Sequence, residues 1–497
     1  MPIDFLAASC NGTPMRFRFP TMRWQTRCFV GPTARVLKST IYPRSEPKPV
    51  ASLVVESDWI LPVESPAIRG GFLVVQSGRI EYFGSELPVR YRSWPRVRLE
   101  DGVILPGLIN SHCHLEFSDI ESPLLAVESS DNESTTGGAS MVRWLGKVMA
   151  RRKALVDTGQ DIAQIKKEAT LRGVREAWSS ATRLVVDNVT APWSEDWLEQ
   201  ASSGFFADRR SEFIDALVCG PPILIRPCVE LVDVNEARGK QTWNYALELM
   251  SRIDERRSQG VCQAPLGLAP HAPYTASKRL VRGAIERTSH PGGLLSMHLA
   301  ESLEELQWIE DREGPMKDWI EPWIDTEHAM EIGTVDEHLR LLSGSHRALI
   351  AHGNYLSAHQ IKWLESYRDW MAVVYCPRTH EHFRHAMHPA NRFAASKIPL
   401  FLGTDSRASN PDLSVFEEWK TACRLFPELG PEYWMAACTL RPSEFFGLES
   451  SVGTLRVGSR SVLTWVPLGP ASVVTQEALW DAILSAERAI PLEMVYS

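Results

Sequence analysis

The sequence predicts an α/β protein in which eight parallel strands, each followed by a helix, close into a barrel. A small β-sandwich is expected from the segments that flank it. Three observations predict this. A long middle region alternates short apolar strands with amphipathic helical stretches, the pattern of repeated βα units. Glycine-punctuated, β-branched segments lie on both sides of that region. The length of 497 residues exceeds the roughly 250 of one barrel, which leaves room for a second module.

Composition narrows the class. Hydrophobic residues make up 44% of the chain and charged residues 23%, which excludes a disordered or fibrous protein. The net charge of −8 argues against nucleic acid as a partner, because phosphate binding needs a concentrated basic surface. Nine cysteines, an odd number with no C-x-x-C pair, point to reduced thiols and a cytoplasmic protein. No stretch reaches the ~18 uninterrupted apolar residues of a membrane span, so no membrane partner is expected.

Along the chain, residues 1–50 read as a flexible basic extension. Their first 48 residues carry +6, leaving −14 on the remainder, and Pro14, Pro20, Pro32, Pro43, Pro47 and Pro49 interrupt any pattern. Strands are expected at Ala51–Glu56, Gly71–Gln76 and Gly78–Gly84, with Gly70-Gly71 and Ser77-Gly78 as turns. A similar texture returns from Gly453 to Val466. Residues 51–105 and 447–497 are therefore assigned to the sandwich, and 106–446 to the barrel. Its eight strands are placed at Gly102–Ile109, Thr182–Asp187, Ile223–Glu230, Ala264–Pro270, Leu294–His298, Ala348–His352, Met371–Cys376 and Pro399–Asp405. Stretches such as Ser302–Ile309, with apolar residues three and four apart, supply the helices.

Barrels of this architecture place their chemistry at the C-terminal strand ends. Reactive residue types stand at those ends. The first strand runs into Ser111-His112-Cys113-His114, and residues i and i+2 of a strand share a face. The fifth ends in His298, the sixth in His352 and the eighth in Asp405. A lone H-x-H is weak evidence, but imidazoles and a carboxylate together suit Zn²⁺ or Fe²⁺ with water completing a catalytic site. Glu301, three residues past His298, suits general acid/base work, although a glutamate at a helix start is also favoured by the helix dipole.

Other histidines read differently. His380 and His382 repeat the H-x-H spacing at the end of strand 7, but that run reads as a hydrogen-bonded or solvated loop rather than a second metal site. His290, His328, His338, His346 and His359 fall in helical or loop contexts and read as surface residues.

Five motifs, Pro106–Glu116, His271–Ser277, His298–Glu301, His352–Asn354 and Gly403–Asn410, together resemble the amidohydrolase superfamily. The similarity is to its deaminase and chlorohydrolase branch and spans residues 51–497. It implies a (β/α)8 TIM-type barrel and one divalent metal, Zn²⁺ first and Fe²⁺ second, held by His112, His114, His298 and Asp405. Catalysis would rest on Glu301 as proton shuttle, on His352 polarising the reacting oxygen, and on Asp405. The absence of lysine from Ile223–Glu230 and Ala264–His271 favours a mononuclear site over a dinuclear one. The implied reaction is hydrolytic deamination, in which water adds to an amino-bearing ring carbon and ammonia leaves.

For the substrate, His114–Ser118, Trp144-Leu145, Val229–Leu231 and Cys376–His380 look most like the branch acting on aminodeoxyfutalosine, a purine nucleoside. His271, Trp144, Arg226 and Glu230 are the substrate-binding candidates. Trp144 could equally be a core residue of an amphipathic helix, and Arg226 with Glu230 a buried ion pair in the barrel. Guanine or cytosine deamination and s-triazine dechlorination are alternatives within the same chemistry. A metal-free scaffold relative is the alternative from another class. The partners expected are a small-molecule substrate and a second copy in a homodimer.

Overall fold

The computed structural model describes residues 52–125, 140–195, 223–259, 265–469 and 475–492. The expected basic extension at 1–50 lies outside the described residues. Among the described residues, two sheets organise the chain. Eight parallel strands follow one another in sequence order: β5 (Leu108–Cys113), β6 (Thr182–Val189), β7 (Leu224–Leu231), β8 (Gly267–Pro270), β9 (Leu295–Leu299), β10 (Ala348–His352), β11 (Met371–Tyr375) and β12 (Leu400–Leu402). A parallel bridge between Cys113 and Asp405 brings the last strand back to the first, so the barrel nearly closes.

Period-two alternation explains the two layers of core. Val186, Cys228, Ala269, Leu349, Ala372, Val374 and Phe401 form one buried cluster inside the barrel. Their neighbours, such as Val185, Val229, Leu268, Ile350 and Val373, face outward against the helices. Those helices include α1 (Met141–Asp157) and α2 (Ile162–Ser179), which connect β5 to β6, and Glu236–Ser258 and Lys278–Thr288 on either side of β8. Serine, threonine, aspartate or asparagine caps most of them: Asp161 accepts from Ala163 and Gln164 at the start of α2. No described helix is long and apolar enough to cross a membrane.

The second sheet draws strands from both flanks, in the order β14–β13–β4–β1–β2–β3. β1 (Ser52–Ile60), β2 (Ile68–Gln76), β3 (Arg79–Gly84) and β4 (Arg96–Pro106) precede the barrel; β13 (Leu463–Pro467) and β14 (Ile490–Leu492) follow it. Leu53, Val55, Ile60, Leu73, Val75 and Ile104 form its own apolar cluster with Leu463 and Leu492. The Gly70-Gly71 pair proves to lie within β2, where Gly71 pairs with Ser57, so the turn falls earlier. A helix, Gln476–Ser485, separates the last two strands.

The first barrel strand also starts later than expected. Val103–Pro106 pairs with β13 in the flanking sheet, and β5 begins only at Leu108. Gly107 makes the handover. A Cβ there would stand 2.6 Å from Arg183 Cγ and 2.8 Å from Val462 Cγ1. The consequence is that His112 lies inside β5 rather than beyond a strand end.

Candidate active site

Four strands bring one polar cluster together. His112 sits within β5 and His114 just after it; His298 is in β9, His352 closes β10, and Asp405 follows β12. The ring of His112 lies 5.0, 4.9 and 5.4 Å from those of His114, His298 and His352. His114 Nε2 and His298 Nε2 face each other at 3.3 Å. Asp405 Oδ1 is 3.7 Å from His112 Nε2 and 3.6 Å from His114 Nε2. Two overlapping triplets, His112–His114–Asp405 and His112–His298–His352, each hold their ligand atoms within 4.8 Å of one another.

The backbone aims these groups. Ala300, His352 and Asp405 have φ of 54°, 68° and 55°, in the left-handed region that costs of order 1–2 kcal/mol per non-glycine residue. Hydrogen bonds hold them there. Glu305 accepts from the N–H groups of Ala300 (3.1 Å) and Glu301 (2.7 Å). His112 O accepts from both Thr404 and Asp405 at 3.1 Å. Asn354 Nδ2 donates to Glu301 O at 2.9 Å, and Glu301 Oε1 lies 3.5 Å from His352 Nε2. Ser409 Oγ donates to Asp405 Oδ2 at 2.6 Å, which leaves Oδ1 toward the imidazoles. His298 Nδ1 faces the carbonyl of His271 at 2.8 Å, which directs Nε2 into the cluster.

Gly403 completes the frame. A Cβ there would meet His112 Cβ, His112 O and Val374 Cγ1, each at 2.9 Å. Gly403→Ala is expected to cost about 1–3 kcal/mol of stability through overpacking and to weaken metal binding by displacing His112. Thermal melts with and without added zinc check this; unchanged melts in both conditions would contradict it.

Burial sets the protonation. It holds His112, His114 and His352 well below the usual imidazole pKa, with neighbouring imidazoles adding to the effect on each. It lowers His298 and His271 to about 4. All five are therefore neutral near pH 7, the form that ligates metal. Burial lifts Glu301 well above the carboxylate range, helped by the charges of Asp405 and Glu305, and pushes Asp405 up to about 7. His112 Nε2 and His352 Nε2 are buried without a hydrogen-bond partner. Such orphaned atoms are rare and costly in a folded interior. Converging, unprotonated and unpaired, these donors fit a divalent cation, whose charge would favour the ionised carboxylates.

The substrate candidates divide. His271 and Glu230 lie with His298 in a third group whose ligand atoms fall within 4.8 Å. Glu230 Oε1 stands 3.5 Å from His114 Nδ1 and has no hydrogen-bond partner. Trp144 stands on α1; its Nε1 donates to Ala408 O at 2.9 Å and its ring meets the Phe383 ring edge-on at 5.4 Å. Arg226 is a correction. It sits four residues, or about 13 Å, down β7 from Glu230. Its guanidinium donates to Gly292 O, ahead of β9, and lies over the Phe446 ring, away from the cluster.

Two surface expectations also fail. His328 is 3% exposed, with Nδ1 3.4 Å from Asp233, and His338 is fully buried with Nδ1 2.9 Å from Thr334 O. The positions that sequence reasoning missed as supports are Asn354, Glu305 and Ser409. Asn354 and Ser409 lay inside quoted motifs, but nothing in a motif says which backbone or carboxylate oxygen a side chain will serve.

The histidine run after β11 packs beside His352. His380 Nδ1 meets Asn354 Oδ1 at 3.3 Å, His385 Nδ1 meets the Tyr355 hydroxyl at 3.2 Å, and His388 Nε2 meets His352 O at 3.1 Å. His382 instead reaches Leu124 O at 3.0 Å. Burial lowers His380 to about 4, and His385 and His388 to about 3. A base whose folded pKa lies below its unfolded value of ~6.5 stabilises fully above that value and loses the contribution as pH falls. The raised carboxyls Glu301 and Asp405 contribute in the opposite direction over the same window. Replacing His385 and His388 with glutamine is thus expected to raise the melting temperature at pH 4 relative to that at pH 6.5, compared with the unaltered protein; an identical pH trend in both would contradict the burial of these imidazoles.

Comparison with known proteins adds a family match, two relatives and two solved structures. The sequence model of the Amidohydrolase family matches residues 103–481. The 5-methylthioadenosine/S-adenosylhomocysteine deaminase of Moorella thermoacetica is 23% identical over 431 residues, covering 84% of this chain and 86% of that protein. The aminodeoxyfutalosine deaminase of Deinococcus radiodurans is 25% identical over 359 residues, covering 70% and 74%. Among solved structures, Helicobacter pylori aminofutalosine deaminase in complex with methylthio-coformycin superposes with a TM-score of 0.68 at 19% identity, over 89% of this chain and 98% of that one. Atrazine chlorohydrolase from Arthrobacter aurescens, complexed with zinc, gives 0.63 at 14% identity, over 88% and 92%. Both structures share the fold described above.

Proposed function

The chain belongs to the amidohydrolase family, and from that premise we propose that it is a metal-dependent deaminase of a purine-nucleoside-like substrate. The observation that carries this reading is the placement of Glu301. A mostly buried carboxyl with a raised pKa lies 3.5 Å from His352, in the same cluster as four groups of ligand type. The relatives named above as deaminases support the reaction class, and aminodeoxyfutalosine is the leading specific substrate.

His112, His114, His298 and Asp405 would hold one divalent metal, with zinc preferred because imidazole and carboxylate donors suit it. Bound there, the ion would supply Lewis-acid activation of water. The chain's own residues do the rest. Glu301 takes a proton from the attacking water and passes it to the ring nitrogen beside the reacting carbon. A carboxyl whose pKa is raised toward neutrality suits both halves of that transfer. His352 holds the oxygen added to that carbon. Glu301 then carries the proton of the added hydroxyl to the amino nitrogen, the C–N bond breaks as the carbon–oxygen bond becomes a carbonyl, and the amino group leaves as ammonia. Glu230 and His271, on the β7–β8 side of the cluster, face the substrate ring or its sugar.

An ammonia-release screen over adenine nucleosides, guanine, cytosine and futalosine-type compounds tests the reading. Turnover of a 6-aminopurine nucleoside is expected. Release from guanine or cytosine alone would move the substrate class, and no release from a zinc-replete protein would refute the deaminase reading. Metal analysis separates the scaffold alternative: less than one equivalent of zinc or iron per chain after replete expression would favour it.

A further inference from the structure

Helix α1 bridges loops from four different strand ends at the barrel mouth. Trp144 reaches the loop after β12 through Ala408 and the loop after β11 through Phe383. Arg152 donates to Glu116 at 2.8 Å and lies over the Phe117 ring, both in the turn after β5, and Arg151 pairs with Asp119 beyond it. The fourth anchor is Glu304. It belongs to the short helix Leu303–Leu306 that follows β9 and Glu301. One carboxylate oxygen accepts from Ser140 Oγ at 2.6 Å, and the other accepts from Met141 N at 2.6 Å and Val142 N at 3.3 Å.

Those N–H groups belong to the first turn of α1, which has no intrahelical partners for them. A carboxylate from another element thus caps the helix and complements its dipole. Glu304 and Glu305 are adjacent but face opposite ways. Glu305 fixes the backbone of Ala300 and Glu301, while Glu304 fixes α1. Apolar packing on α1 is partial: Met141 and Val148 are buried, and Val142, Trp144 and Leu145 are half-covered against the core. Polar anchors therefore share in holding its place over the mouth.

We propose that Glu304 is a positioning residue: it fastens α1 across the mouth of the site and ties that helix to the turn bearing Glu301. The kinetic part of this inference rests on the deaminase reading; the structural part does not.

The test uses the full-length, zinc-loaded protein with Glu304→Ala, Glu304→Gln as the conservative variant, and Asp161→Ala as control. Asp161 caps α2, is exposed and has no contact with the site. Three quantities are read: amide exchange across α1, the rate of zinc loss to EDTA, and KM against kcat for ammonia release from the best nucleoside of the screen. In Glu304→Ala, exchange in α1 is expected to rise ~10-fold while β5–β12 stay protected. Zinc loss should accelerate by a similar factor, and KM should rise more than kcat falls. Glu304→Gln should fall between Ala and wild type, and Asp161→Ala should alter thermal stability alone. Unchanged exchange and zinc loss in Glu304→Ala would overturn the proposal, as would the same changes in Asp161→Ala. If no nucleoside is turned over, the deaminase reading fails and exchange with zinc loss still decides the role of Glu304.

Discussion

Glu301→Gln is expected to keep one metal ion per chain and to lose turnover by at least the ~10²–10⁴-fold that positioned proton transfer contributes. The amide matches the carboxyl in shape, so the two N–H bonds that Glu305 accepts from Ala300 and Glu301 should persist. Glu301 Oε1 stands off His352 Nε2 at 3.5 Å and belongs to neither of the triplets built around His112. The substitution therefore removes a proton carrier while leaving the ligand set intact. Metal content by atomic emission, measured beside kcat, checks both halves. A variant with near wild-type kcat would refute the assigned role; a variant that lost its metal would make Glu301 a ligand.

Asp405→Asn should do the reverse and act through the metal. Ser409 can still bond the asparagine side chain, and the φ of 55° is tolerated by asparagine at least as well as by aspartate. What disappears is the negative charge that faces both His112 and His114. Outer-shell changes alone usually weaken metal affinity 10–100-fold, so loss of a carboxylate ligand is expected to exceed about 100-fold. Zinc titration against a competing chelator measures this, and activity should return in part at high zinc. Wild-type affinity in Asp405→Asn would remove Asp405 from the ligand set.

Much of the barrel was legible because each strand is a short apolar, β-branched run bounded by polar residues or glycine. The candidate site was legible because its histidines, Glu301 and Asp405 stand within three residues of a strand's C-terminal end, near which this architecture puts its chemistry. Height along a strand was harder to read than face. Arg226 and Glu230 share one face of β7, and periodicity does not say that only one of them reaches the mouth. The handover at Gly107 was hidden for a similar reason. Val103–Leu105 and Leu108–Ile109 form one apolar run, and only pairing with β13 divides it. His328 and His338 owe their burial to tertiary partners, Asp233 and the backbone of Thr334 respectively. Glu304 and Glu305 look like any acidic first turn until their opposite targets are known.

The pairing of β4 with β13 bears on how the protein is made. Pro106 pairs with Leu463, and β4 runs through Gly107 directly into the strand that carries His112. A strand made before the barrel thus waits for one made after it before their sheet is complete. Long-range pairing of this kind folds slowly and leaves strand edges open to wrong partners meanwhile. During synthesis the flanking sheet is a late-closing clasp, and chaperone demand should track the interval between translation of β4 and of β13.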